Sequence, residues 1–516
     1  MADKKLLVIG LDCMTPQLVF NEWYDDLPTL RSLMEGGTFR PLFSTIPPIT
    51  VPAWMSMMTS KDGGQLGMYG FRNRKDHSYD ALYTVNANSV KEKTLWNYLS
   101  RNRLSSIIWG IPLTYPPKPL NGMMVSSFLT PDKSVQWTYP EEAAAEVDKA
   151  ADGDYIIDVK NFRTDDKDWL LEQIRIMTER RFKAFRHFYK KEDPDFAMMV
   201  EMGPDRIHHG FWRYMDKPHR LYEPGNKYEN AIHDYYLQLD DEVAKTLDAA
   251  PDGTEVMIVS DHGAKTMKGG FCINEWLQQE GYLRLKEQPT EPVRLTPDMI
   301  DWPKTKAWGA GGYYARIFMN VEGREPQGVI PDYAYPEERD KLIRKLQFTK
   351  DENGENLGTI VFRPEEIYAE IKNIPPDLVV HLGGLDWRSA GSVGTGTLHI
   401  FENDTGPDDA NHAQEGIFIS SMRLNTSVSQ KNPYSIFDIT PTVLDYFGIP
   451  VPEDMIGESL LAGDIMEQPE MLADKLRSYT SEIGTERAKR TIPGANVDHV
   501  ETEEGTDVKG IGDADD

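Results

Sequence analysis

The chain has 516 residues, of which 40% are hydrophobic and 27% charged, ordinary values for a soluble globular protein with ample core. A net charge of −27, with no basic patch longer than a few residues, argues against a nucleic-acid-binding surface. Two cysteines far apart, Cys13 and Cys272, exclude a disulfide framework, and no run of about eighteen apolar residues is present to span a membrane.

The first element in chain order is the apolar run Leu6-Leu7-Val8-Ile9-Gly10-Leu11, a strand over 5–12 that ends in the carboxylate of Asp12. The run is too short for a signal-peptide core, so the protein is expected to be cytoplasmic. Next comes Pro47-Pro48-Ile49-Thr50-Val51-Pro52, a proline-stiffened loop entering an apolar helix. Proline in the first turn places Thr50 at or near the N-cap, where the helix dipole stabilises negative charge on an alkoxide or phosphate. As a bland alternative, Thr50 only caps its helix.

Helices are predicted over 89–101 after an Asn88-Ser89 cap, over 167–191 and over 228–249, with a strand at 105–111 between the first two. The segment 110–165 is rich in Pro and acidic residues. A strand over 196–202 leads into Asp205 and His209, four apart and therefore on one face of a helical turn. His208 is the bystander of the pair, and His187, His219, His233 and His399 read as surface, packing or hydrogen-bonded residues.

The strand 255–261 ends in Ser260-Asp261-His262-Gly263, which delivers a carboxylate and an imidazole together where α/β sheets keep their ligand sites. A long insertion, about 265–400, follows and contains a strand at 377–382; His412 then enters a strand over 415–421. The tail 498–516 is acidic and poor in large apolar residues, which reads as disordered. Strands alternating with helices predict a mostly parallel central sheet covered on both faces. Asp12, Asp205, His209, Asp261, His262 and His412 are too many for one tetrahedral ion and suit two divalent ions, zinc or manganese, sharing a site.

Taken in order, Asp12, Thr50 in Thr-x-Pro, Asp205-x-x-x-His209, Ser-Asp261-His262-Gly and His412 resemble the alkaline phosphatase superfamily, nearest its type I phosphodiesterase/nucleotide pyrophosphatase branch. The resemblance covers roughly residues 5–460, including a closing helix around Asp438-Ile439-Thr440-Pro441, and makes 1–497 one catalytic domain with cap insertions at 110–165 and 265–400. It implies one ion on Asp12, Thr50, Asp261 and His262 and the other on Asp205, His209 and His412, with Thr50 attacking the phosphorus of a small phosphorylated substrate. One position departs from the family. Where nucleotide pyrophosphatases carry an Asn that donates to the phosphoryl oxygen, this chain has Phe71, which leaves Asn73, Arg72 or a cap residue as the substrate-binding donor. A phosphomonoesterase or phosphomutase remains open, as does a metal-binding protein without turnover. The sulfatase signature fails at Cys13-Met14-Thr15-Pro16, where Pro is one place late and the Arg is missing.

Overall fold

Three apolar strands without polar interruption, Leu6–Leu11 (β1), Phe196–Glu201 (β6) and Glu255–Val259 (β7), lie side by side at the middle of the main sheet. The computed structural model describes residues 4–422, 424 and 433–461. Both β1 and β6 are buried along their whole length, the pattern of a parallel strand covered on two faces. The remaining strands of that sheet are Thr38–Phe43 (β2), Ser106–Trp109 (β3), Gly122–Val125 (β4), Thr138–Tyr139 (β5), Glu415–Ser420 (β14) and Tyr434–Ser435 (β15). Their order is β15-β2-β14-β7-β1-β6-β3-β4-β5. From β7 to β4 the neighbours are parallel, whereas β14 runs antiparallel to both β2 and β7.

The helices that matter for the site are Thr50–Thr59 (α1), Leu95–Arg101 (α2), Lys167–Glu192 (α3), Gly203–Met215 (α4), Ala231–Leu247 (α5) and Ile439–Tyr446 (α6). The Asp166 side chain caps α3 by accepting from the Trp169 N–H at 3.1 Å, which fixes its start where the sequence suggested. The helix expected over 89–101 is shorter. Asn86 and Ser89 are tied into a turn, and α2 starts after Thr94, whose N–H donates to Asn97 Oδ1 at 3.0 Å.

Residues beyond β7 build a second, smaller unit of structure with a core of its own, including Trp276, Leu277, Ile317, Leu342 and Val380. Its sheet has the order β9-β10-β12-β11, from Ala307–Ala310 (β9), Ala315–Met319 (β10), Ile360–Phe362 (β11) and Leu378–His381 (β12). The strand expected at 377–382 therefore exists but belongs to this antiparallel sheet rather than to the central one. Gly263–Thr266 (β8) and Ala410–Ala413 (β13) form a separate two-stranded ribbon.

The segment 110–165, expected as part of a cap, contributes to the central fold as well as to the cavity. Strands β4 and β5 extend the central sheet, and Val147 and Tyr155 pack into the main core; Phe128 and the end of the segment, from Asp158, border the cavity described below. Proline and acid content suggested a lobe because the segment's apolar residues are too scattered to show a period. The acidic tail 498–516 lies outside the described residues.

Candidate metal centre

The carboxyl ends of β1, β6 and β7 point the same way, so whatever follows them is brought together. Asp12 follows β1, and its N–H is anchored on Glu201 O at 3.0 Å. Asp205 and His209 lie in α4, which begins directly after β6. Asp261 and His262 sit between β7 and β8, and β8 pairs with β13 in the register Ala264↔His412. Gly263 permits that approach, since a Cβ there would stand 2.2 Å from Glu415 O. Thr50 is the first residue of α1, behind the N-cap residue Ile49.

Two groups of buried ligand atoms result, Asp12 with Asp261 and His262, and Asp205 with His209 and His412. In the first, His262 Nε2 lies 3.3 Å from Asp261 Oδ2 and 4.0 Å from Asp12 Oδ1. In the second, Asp205 Oδ1 lies 3.2 Å from His209 Nε2 and 3.8 Å from His412 Nε2. The two groups adjoin, for the rings of His262 and His412 stack with centroids 3.8 Å apart.

Three observations fit cations to these donors. Asp12 Oδ1 and Asp261 Oδ2 are buried carboxylate oxygens with no hydrogen-bond partner among the described residues, which is costly unless a cation satisfies them. Each imidazole donates its Nδ1 proton outward: His262 to Gly263 O at 3.1 Å, His412 to Pro48 O at 2.8 Å and His209 to Asp408 at 2.7 Å. That fixes the tautomer and turns the Nε2 lone pairs inward, as metal-binding histidines require. Finally, His209 Nε2 and His412 Nε2 face each other at 3.3 Å, a juxtaposition of lone pairs that a proton or a cation relieves.

Burial, and then the neighbouring Asp205 charge, pushes the Asp12 carboxyl well above the usual range; burial and then Asp12 do the same to Asp261. Asp205 moves the other way: burial opposes ionisation, but His209 and Arg206 together outweigh it. His262 is lowered to about 4 by burial, and His412 is also held low by burial and then by His262. Both are neutral ligands near neutral pH. His209 rises to about 9 because Asp408 and Asp205 overcome its burial, so an ion there must displace its second proton.

Thr50 Oγ1 is 3.2 Å from His262 Nε2, and Thr50 is the first helical residue rather than the N-cap. The same helix braces the first ligand group, since Trp54 Nε1 donates to Asp12 Oδ2 at 2.6 Å. Thr50, Asp205 and His412 open onto a cavity of about 1180 Å³. Eight basic residues line it against four acidic ones, among them Arg72, Arg163, Arg206 and Arg388, so the wall is locally cationic in a strongly acidic protein.

Of the two substrate donors suggested by sequence, Arg72 lines the cavity and is exposed. Asn73 is buried and not among the lining residues. Its Oδ1 accepts from Tyr69 N–H at 2.8 Å and its Nδ2 donates to Gly70 O at 2.9 Å, so it closes its own loop, which corrects its assignment to the substrate. His208 faces away, bonded to Tyr236 Oη at 2.9 Å, and His399 is satisfied by Lys350 O at 2.8 Å. Asp408, Trp54 and Pro48 O, which orient the ligands, were not anticipated. Asp408 stands four residues before His412 in an acidic stretch that shows no periodicity to single it out.

The model of the type I phosphodiesterase/nucleotide pyrophosphatase family matches residues 6–408. No curated protein matches the chain closely enough to count. Among solved structures, phosphonoacetate hydrolase from Sinorhizobium meliloti 1021, crystallised with phosphonoacetate, is similar with a TM-score of 0.56 at 14% identity, over 85% of this chain and 94% of that one. Human ectonucleotide pyrophosphatase/phosphodiesterase 5 is similar with a TM-score of 0.50 at 11% identity, over 87% and 97% of the two chains. Its murine counterpart, an inactive threonine-to-alanine form in complex with AMP, also gives 0.50, at 12% identity over 88% and 97%. At such identities the likeness is one of fold.

Proposed function

The chain belongs to the type I phosphodiesterase/nucleotide pyrophosphatase family and is a phosphoester hydrolase of that kind, and from this premise we propose that it works through a Thr50 nucleophile beside two divalent metal ions. Asp12, Asp261 and His262 would hold one ion together with Thr50, and Asp205, His209 and His412 the other. Mixed nitrogen and oxygen donors suit zinc, with manganese second. When bound, the ions supply Lewis acidity at the phosphoryl oxygens and a lowered pKa at the oxygens they hold.

The chain's own residues do the rest. Thr50 Oγ1 gives up its proton and forms the new P–O bond, in line with the ester oxygen, which leaves with the electron pair of the broken bond and takes up the equivalent of that proton. Water then attacks the threonine-linked phosphorus on the opposite side, restoring the hydroxyl and freeing the phosphomonoester left from a diester. At the first turn of α1 the threonine faces the positive end of the helix, which stabilises charge on both Oγ1 and the phosphoryl group. Tyr313 covers the second ligand group, stacking on His412 at 4.1 Å and on His209 at 4.9 Å, and so limits water on that side.

The observation that carries this reading is the position of Thr50 Oγ1, 3.2 Å from His262 Nε2 at the first turn of α1. The cavity favours an ester with a second substituent over a bare monoester, since about 1180 Å³ exceeds the roughly 300–1,000 Å³ of ordinary small-molecule sites. A panel of p-nitrophenyl mono- and diesters tests both points. Thr50→Ala should keep its metal and lose hydrolysis by several orders of magnitude, and Thr50→Ser should retain a measurable fraction. Near wild-type hydrolysis by Thr50→Ala with metals in place would rule out the covalent route.

A further inference from the structure

A phosphoryl-transfer site needs a fixed hydrogen-bond donor for the charge that develops on the non-bridging oxygens. Neither loop residue near Phe71 provides one from a rigid position: Asn73 is consumed by its own loop, and Arg72 is exposed. Phe71 itself packs edge-on against Phe128, with centroids 6.0 Å apart, and offers only a ring.

Arg206 is placed differently. It follows Asp205 in the first turn of α4, is 6% exposed, and lines the cavity together with Thr50, Asp205 and His412. Asp158 holds it in a two-pronged clamp, Nε to Oδ1 at 3.0 Å and Nη2 to Oδ2 at 2.8 Å. Nη1 donates to Asp205 Oδ2, so the guanidinium is joined directly to a ligand of the second group. Phe162, 4.4 Å from the guanidinium carbon, and Phe128, 5.6 Å from it, complete its setting. Of the five N–H groups of an arginine, these bonds use three, leaving one on each Nη.

Neutralising Asp158 and Asp205 would account for the charge of Arg206 but not for a cavity wall in which two of its N–H groups have no partner among the described residues. Arg163, another cavity-lining arginine, is committed to Asp408 through Nε at 3.0 Å and to Tyr313 Oη. Resting on the reading of this site as a phosphoryl-transfer centre, we propose that Arg206 is the catalytic donor to the non-bridging phosphoryl oxygens, and that Asp158 is its positioning residue. The ligand class is a tetrahedral or trigonal-bipyramidal oxyanion. Asp158 lies at the end of the 110–165 segment, which gives that segment a part in the site that needs no cap.

The test uses the full-length, metal-loaded protein with orthovanadate, which mimics the five-coordinate phosphoryl group. Vanadate affinity by calorimetry, metal content by elemental analysis, and kcat and KM on a p-nitrophenyl ester are measured for wild type, Arg206→Gln and Arg206→Lys. The proposal expects wild-type metal content in all three. Vanadate affinity and kcat should fall on the order of 10²–10³-fold in Arg206→Gln, with KM little changed, and Arg206→Lys should lie between because it keeps the charge without the fork. Millimolar guanidinium should restore part of the rate of Arg206→Ala and leave wild type unaffected. Unchanged vanadate affinity in Arg206→Gln would overturn the assignment. So would a loss of affinity that only tracks a loss of metal, since Arg206 would then merely support Asp205. Arg206-dependent vanadate binding in a wild type that hydrolyses no ester would overturn the enzymatic reading and leave the assignment of Arg206 standing.

Discussion

Asp408 illustrates how much of this centre depends on residues that are not ligands. One oxygen accepts from His209 Nδ1 at 2.7 Å and the other from Arg163 Nε at 3.0 Å, with Tyr313 Oη at 3.3 Å. The ion pairs hold its carboxyl well below the usual range against the opposing effect of burial, so it is a permanent anion behind His209. Asp408→Ala frees the imidazole to rotate and to change tautomer, and is expected to weaken metal binding by about 10–100-fold, measured by competition with a chelator. An unchanged metal affinity would mean that α4 alone orients His209. At this scale the two candidate ligand groups could be assembled from sequence because each member follows an apolar strand or keeps a four-residue helical spacing. Their supports could not, because the Asp408–His209 and Asp12–Trp54 contacts join segments remote in sequence, and no local pattern encodes which partner a buried polar group will meet.

Among the elements, α1 carries the heaviest demand, since it presents Thr50 and braces Asp12 through Trp54. Its seat is Gly10 of β1, where a Cβ would lie 2.5 Å from Trp54 Cη2 and 2.8 Å from Val200 Cγ2. Gly10→Ala should therefore displace the indole, cost about 1–3 kcal/mol of stability by overpacking, and lower activity through both Thr50 and Asp12. Gly36→Ala, whose Cβ meets nothing within 4 Å, is the matched control and should leave the melting temperature and rate near wild type. Equal behaviour of the two variants, in thermal melts and in kinetics, would contradict the bracing role of Trp54. The strands around Gly10 were readable from sequence as uninterrupted apolar runs. Sheet membership was not, as the strand at 377–382 shows: Leu378–His381 has the same buried, β-branched character as β7 but pairs antiparallel with β10 and β11. Helix starts were legible where an Asp caps the first turn, as at Asp166, and not where Asn88-Ser89 offered a cap that the chain spends on a turn.

For the molecule as a whole, a net charge of −27 suggests a surface that repels phosphorylated compounds, yet the cavity is lined by eight basic residues against four acidic ones. Composition sums over the whole surface and is blind to this segregation, which arises because the 158–163 segment, α4 and the second sheet bring their arginines to one space. The family model matches residues 6–408 of a chain that resembles the solved structures named above at only 14% identity or less. Without cations, the clustered Asp12, Asp205 and Asp261 repel one another inside the protein, so chelation should lower the melting temperature as well as stop hydrolysis. The most direct test of the account is the metal content of the folded chain, by elemental analysis after loading with zinc or manganese and removal of free ion. Two equivalents per chain are predicted, falling when His209 or His262 is replaced by Ala. Hydrolysis that persists at the full rate in protein shown to hold no divalent metal would contradict it.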